Sequence, residues 1–88
     1  MALPRDVEVA YEAFSSAVYD NTILPRKLIE LMAFSISVAV DCVPCMRHHS
    51  AEARKHGATD DEIALAVGVA MSISAGKNRV KAREALER

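Results

Sequence analysis

The sequence has no tryptophan, only two phenylalanines and two tyrosines, and just three prolines and three glycines in 88 residues. Aromatic stacking therefore cannot dominate its core, yet 51% of the chain is hydrophobic. An apolar excess made of aliphatic and small side chains predicts helices that bury more than one face, some of them against other subunits. Charge of one sign is also missing. A formal net charge of −1 gives no electrostatic reason to expect nucleic acid or an anionic membrane as partner. Long hydrophobic runs are absent too: the longest, Leu28 to Val40, is interrupted by Glu30 and falls short of the roughly 20 residues that span a bilayer. Met1 to Asp6 lacks the apolar centre of a secretory signal, so a soluble, cytoplasmic protein is expected. No flavin, haem or nucleotide fingerprint appears, and no cofactor is expected. No strand pattern, repeat or low-complexity segment stands out. The length suits one domain, residues 1–88, of a size that is often marginal alone.

What is present reads as an all-α bundle of about five helices. Pro4 suits a first helical turn, and Val7, Ala10, Tyr11, Phe14, Ala17 and Val18 recur at helical spacing from Arg5 to Asp20. Pro25 opens a second helix to about Asp41 that is apolar on every side, which marks a buried helix. Glu30 lies inside it, where an unpaired carboxylate is costly. It either reaches solvent near the helix start, pairs with Arg26 or Lys27, or serves chemistry. Pro44 is tolerated only in a first turn, so the third helix begins at about Cys42 or Val43 and stops at Gly57. Thr59 to Glu62 has the form of a capping box opening a fourth helix, Glu62 to about Ala75. Ala64, Gly68, Ser72 and Gly76 form a small-residue seam on it, suited to close approach of another helix. Lys77 to Arg88 reads as a solvated closing helix.

The chemistry concentrates in Asp41 to His49, which holds both cysteines and two of the three histidines. On a helix, Cys42, Cys45 and His49 fall within an arc of about 60°. A thiol acts as a nucleophile only as thiolate, and its ordinary pKa of about 8.5 leaves it mostly protonated at neutrality. The helix start offers free N–H groups and a positive dipole end near Cys42. His49, one turn after Cys45, can take or share the Cys45 proton. Two cysteines at this spacing can close a disulfide across one turn, as redox CxxC sites do. Two other readings stay open: inert core cysteines, or zinc held with His49 or His48. A zinc site would need a fourth ligand from Glu30, another histidine or a neighbouring subunit. His48 lies about 100° round the helix from His49 and reads as a surface or interface residue. His56, beside Gly57, reads as a C-terminal helix cation.

Glu30 followed by Cys42-Val43-Pro44-Cys45 and His49 resembles the E-x(11)-C-x-x-C-x-x-x-H signature of the AhpD-like alkylhydroperoxidases, within the carboxymuconolactone decarboxylase superfamily. The resemblance runs from Leu24 to about Gly76. It implies an all-α bundle assembling into trimers, hexamers or related homo-oligomers, and two cysteines that cycle between dithiol and disulfide. It also implies that Glu30 is a buried base, His49 the relay, Cys45 the thiolate that meets the oxidant and Cys42 its resolving partner. Some members carry a histidine just before the second cysteine, where this chain has Pro44, which shortens the relay. The dipole argument alone favours Cys42 as the more acidic thiol. The expected function is a thiol–disulfide oxidoreductase or alkylhydroperoxidase, acting on a hydroperoxide or disulfide and reset by an external thiol reductant. Glu30, if desolvated, should have a raised pKa and accept a proton near neutrality. The rivals are a cofactor-free decarboxylase of a carboxylated lactone using Arg47, His48 and His49, and a non-catalytic oligomeric or metal-sensing module.

Overall fold

The computed structural model describes residues 2–87, among which there are four helices and no strand: α1 (Arg5–Tyr19), α2 (Arg26–Ala39), α3 (Val43–Lys55) and α4 (Asp60–Leu86). The all-α expectation is met, but four helices replace the expected five. The break anticipated near Gly76 is absent, because α4 runs through it for 27 residues. A lone glycine costs a helix only about 1 kcal/mol relative to alanine. It ends one only where the chain turns into the left-handed region, and Gly76 does not. Arg88, where the closing helix was expected to end, lies outside the described residues.

Two turns of the same kind set the bundle. After α2 the chain caps at Val40, and Asp41 takes a left-handed φ of 59°. The Cys42 N–H then bonds back to the Ser37 carbonyl and the Asp41 N–H to that of Val38, the Schellman pattern of a helix end. The turn after α3 repeats it at Gly57, with φ 96° and the Ala58 N–H on the Ala53 carbonyl. The first turn folds α3 back along α2, and the second returns the chain as α4 across α2. Helix α2 is thus the centre, packed most extensively on α3 and next on α4. Its buried face is Glu30, Phe34 and Ser37.

The links from α2 to α4 are partly polar. Ser35 Oγ donates to the Ala66 carbonyl at 2.8 Å, and Lys27 Nζ meets Glu62 Oε2 at 2.9 Å. The capping box forms as expected: the Glu62 N–H donates to Thr59 Oγ1, and the Thr59 N–H to Glu62 Oε1. That backbone hydrogen bond and the Lys27 ammonium hold the Glu62 carboxyl below its usual range.

Burial departs from expectation. Leu28, Met32, Ile36 and Val40 line an exposed stripe of α2, so only one face of that helix is covered within the chain. Helix α1 has no buried residue and touches α2 lightly. The small-residue seam of α4 is not closely approached within the chain, since a Cβ added at Gly68 or Gly76 meets nothing within 4 Å.

Gly57 has open space around it, so any penalty there is backbone strain alone. Gly57→Ala should cost roughly 1 kcal/mol and lower the thermal midpoint by about 4–8 °C in a calorimetric scan. Gly57→Asn should cost less, because asparagine enters the left-handed region more readily.

Candidate active site

The hairpin of α2 and α3 determines what meets what. Glu30 sits in the second turn of α2 and is 1% exposed. His49 sits in the second turn of α3, on the face turned toward it. Across the hairpin, His49 Nδ1 lies 2.7 Å from Glu30 Oε1. One turn before Glu30 on its own helix, Arg26 donates its Nε–H to Glu30 Oε2, also at 2.7 Å. Both oxygens of the buried carboxylate are therefore satisfied, one by the expected catalytic partner and one by the expected structural one.

This arrangement corrects the anticipated basicity of Glu30. Burial pushes its carboxyl up, but the hydrogen bonds from His49 and Arg26 and their charges outweigh that, and the net shift is downward. Burial alone suggests the opposite sign, and the two donors that converge on the group reverse it. Glu30 is consequently a fixed anion rather than a proton acceptor near neutrality. Facing an ionised carboxylate, His49 Nδ1 must carry hydrogen and donate it. In the neutral ring this leaves Nε2 with the free lone pair, the tautomer a general base needs.

The second nitrogen points to a residue that the sequence reading missed. Tyr19 Oη is 3.4 Å from His49 Nε2, and the two rings stack with centroids 5.3 Å apart. Burial first, and then the negative charge of Glu30, raise the Tyr19 pKa, so it stays a protonated phenol. The Arg26 guanidinium lies 5.8 Å from the Tyr19 ring centroid, within cation–π range. A signal for Tyr19 existed: Tyr11, Ser15 and Tyr19 are spaced four apart on α1, a polar stripe beside the apolar one. All three line an open pocket of about 400 Å³ that also reaches Arg26, His48 and His49. His48, expected on the surface, is exposed and packs edge-on to His49 with centroids 4.8 Å apart. His56 forms the C-cap of α3, 3.9 Å from Glu52.

The cysteines occupy the start of α3. Cys42 is the N-cap residue, Pro44 lies in the first turn, and Cys42 and Cys45 are joined by a disulfide with Cα atoms 5.2 Å apart. Cys42 Sγ accepts the Cys45 N–H at 3.3 Å, the kind of contact that stabilises a thiolate at a helix start. In this oxidised state neither sulfur carries a proton for His49 to take, and the imidazole bonds Glu30 and Tyr19. Among the described residues no group of three His, Cys, Asp or Glu side chains is arranged to hold a metal ion. None of their helices is long and apolar enough to cross a membrane.

Comparison with known proteins agrees with this architecture. The model of the carboxymuconolactone decarboxylase family matches residues 5–88. A crystal structure of a protein from Methanobacterium thermoautotrophicum superposes with a TM-score of 0.86 at 34% identity, covering 97% of each chain. Uncharacterized protein 4 in the cox locus of Paracoccus denitrificans is 30% identical over 80 residues, 91% of this chain and 72% of that one. An uncharacterized protein of Cupriavidus necator is 26% identical over 77 residues, 88% of this chain and 68% of that one.

Because the Glu30 pKa is depressed, the stability its ion pairs confer is present above the unfolded-state value and is lost as pH falls through the native one. Glu30→Gln should therefore cost on the order of 2 kcal/mol at pH 7. In urea titrations the gap between wild type and variant should shrink progressively below about pH 4. A gap that is constant down to pH 2 would contradict an ionised Glu30.

Proposed function

The chain belongs to the carboxymuconolactone decarboxylase family, and from that premise we propose that it acts as a thiol–disulfide oxidoreductase of the alkylhydroperoxidase type. The observation that carries this reading is the Cys42–Cys45 disulfide at the start of α3, two helical turns from a Glu30-oriented imidazole. In the reduced enzyme His49 takes the Cys45 thiol proton on Nε2, turning from Tyr19 to do so, while Glu30 offsets the imidazolium charge. The Cys45 thiolate attacks the outer oxygen of a hydroperoxide. The O–O bond breaks, the alkoxide leaves as alcohol with the proton returned by His49, and Cys45 becomes a sulfenic acid. The Cys42 thiol then displaces water from that sulfur and the disulfide closes. An external dithiol restores the pair by exchange, becoming a disulfide itself. With a disulfide as substrate the same thiolate opens it directly. The Cys45 N–H on Cys42 Sγ favours Cys42 as the more acidic thiol, so the assignment of Cys45 as nucleophile rests on the family resemblance.

A second reading, a cofactor-free decarboxylase of a carboxylated lactone, is favoured by one observation. The polar pocket opens on the Nε2 side of His49 and is lined by Tyr11, Tyr19 and Arg26 but by neither cysteine. Against it, Arg26 is already paired with Glu30 and with Asp20 at 3.3 Å, which leaves little free positive charge for a substrate carboxylate.

Reduced protein should lose two thiols per chain on adding one equivalent of hydroperoxide. Cys45→Ser should abolish peroxide consumption, while Cys42→Ser should stop at a trappable sulfenic acid. His49→Ala should slow Cys45 alkylation at pH 7 by roughly 10²-fold. Retention of both thiols through treatment with peroxide and with a small disulfide would exclude the redox reading, and lactone turnover by the doubly Cys→Ser protein would establish the second.

A further inference from the structure

The His49 ring is bonded unequally at its two nitrogens. Nδ1 lies 2.7 Å from Oε1 of the buried Glu30, a short bond to an ionised partner. Nε2 lies 3.4 Å from Tyr19 Oη, longer than an ordinary hydrogen bond. The second bond is the one more readily given up. A neutral imidazole has a single acceptor lone pair, and with the hydrogen on Nδ1 that pair is on Nε2. Two groups can claim it. Tyr19 approaches from the last residue of α1. Cys45 lies one turn before His49 on α3, where residues four apart are neighbours, and a helical side chain leans toward the turn that precedes it. In the disulfide Cys45 has no S–H to donate, and the lone pair is left to Tyr19.

Arg26 ties the end of α1 to this site. Helix α1 has no buried residue and touches α2 lightly, so its own packing does little to place Tyr19. Arg26, whose Nε–H bonds Glu30, also reaches Asp20 with Nη1 at 3.3 Å and lies 5.8 Å from the Tyr19 ring centroid. One guanidinium thus contacts both partners of His49. The phenol is the donor of its pair, because burial and the charge of Glu30 keep its proton in place.

We propose that Tyr19 is a positioning residue that occupies His49 Nε2 while Cys42 and Cys45 are joined, and so biases the pair toward the disulfide. Tyr19 has this role only if Cys45 uses His49 as its base, as in the thiol–disulfide reading above. Reduction by an external dithiol places two electrons and two protons on the sulfurs, and the dithiol becomes a disulfide. The Cys45 S–H and the Tyr19 O–H then contend for one acceptor. In the oxidised protein the Tyr19 bond displaces nothing, whereas in the reduced protein one of the two bonds is forgone. The hydroxyl therefore favours the disulfide whichever bond is stronger, and it restrains Cys45 thiolate formation until His49 is released. A net hydrogen bond is worth roughly fivefold in an equilibrium constant, and two such bonds that exclude each other leave a bias of about threefold.

Tyr19→Phe keeps the ring that stacks on His49 and removes only the hydroxyl. Equilibrated in thiol–disulfide buffers of glutathione or dithiothreitol, this variant should shift toward the dithiol by about threefold relative to wild type. Reduced Tyr19→Phe should also be alkylated at Cys45 faster than wild type at pH 7. In a His49→Ala background the same substitution should change neither quantity, because no acceptor is left to contest. A role confined to structural support would persist in that background. An equilibrium that is unchanged or shifted the other way overturns the role of Tyr19. So does a fall in the Cys45 alkylation rate, or a shift that survives His49→Ala. Slow alkylation in His49→Ala beside an unaltered Tyr19→Phe removes this role alone, whereas a His49→Ala protein that reacts like wild type removes the base from the thiol–disulfide reading and Tyr19 with it.

Discussion

The structure depends on a buried carboxylate that is never left alone. Glu30 is the one fully buried large side chain among the described residues, and an unpaired charge there would be expelled or neutralised. Arg26 supplies one partner from the preceding turn of the same helix, and His49 supplies the other across the α2–α3 hairpin. The second bond has more consequence. It fixes the register of α3 on α2, sets the imidazole tautomer, and directs the free nitrogen toward Tyr19. A buried ion pair of this kind is weak as a source of stability, because desolvation consumes much of the attraction. Its value here lies in orientation, since the Glu30 bond to Nδ1 sets the tautomer that leaves Nε2 free.

The dithiol depends on a different constraint, that of the backbone. The Schellman turn at Val40–Cys42 ends α2 and begins α3 within three residues, so Cys42 arrives as the N-cap with Cys45 one turn inside. Asp41 takes the left-handed position, a conformation asparagine and aspartate adopt more often than most residues. Pro44 then costs nothing, because its missing N–H falls in the first turn. The disulfide and the Glu30–His49 pair are thus two products of one tight turn, the first at its exit and the second further along the paired helices.

Much of this was legible in the sequence because it rests on local signals. The Thr59–Glu62 box, the Gly57 stop, Pro44 and the Cys42–Cys45–His49 spacing are short-range facts, and each appears where expected. The number of helices was not, since Gly76 resembles the Gly57 stop in composition and only the backbone dihedral separates them. The sign of the Glu30 shift was not legible either. Sequence shows that the residue is surrounded by apolar neighbours but not that a donor from another helix reaches it. Tyr19 belongs to the same class of omission, because it approaches His49 from 30 residues away. The all-round apolar character of α2 was read correctly as a demand for cover, yet within the chain only one of its faces is covered.

The claim on which the rest turns is that Glu30 is ionised and holds His49 by its Nδ1–H. Side-chain carboxyl ¹³C shifts of Glu30, followed from pH 8 down to pH 2, test it directly. A midpoint below the ordinary glutamate value, moving up in His49→Ala, is the predicted result. A Glu30 that takes up its proton near neutrality, or whose titration ignores the loss of His49, would contradict the account.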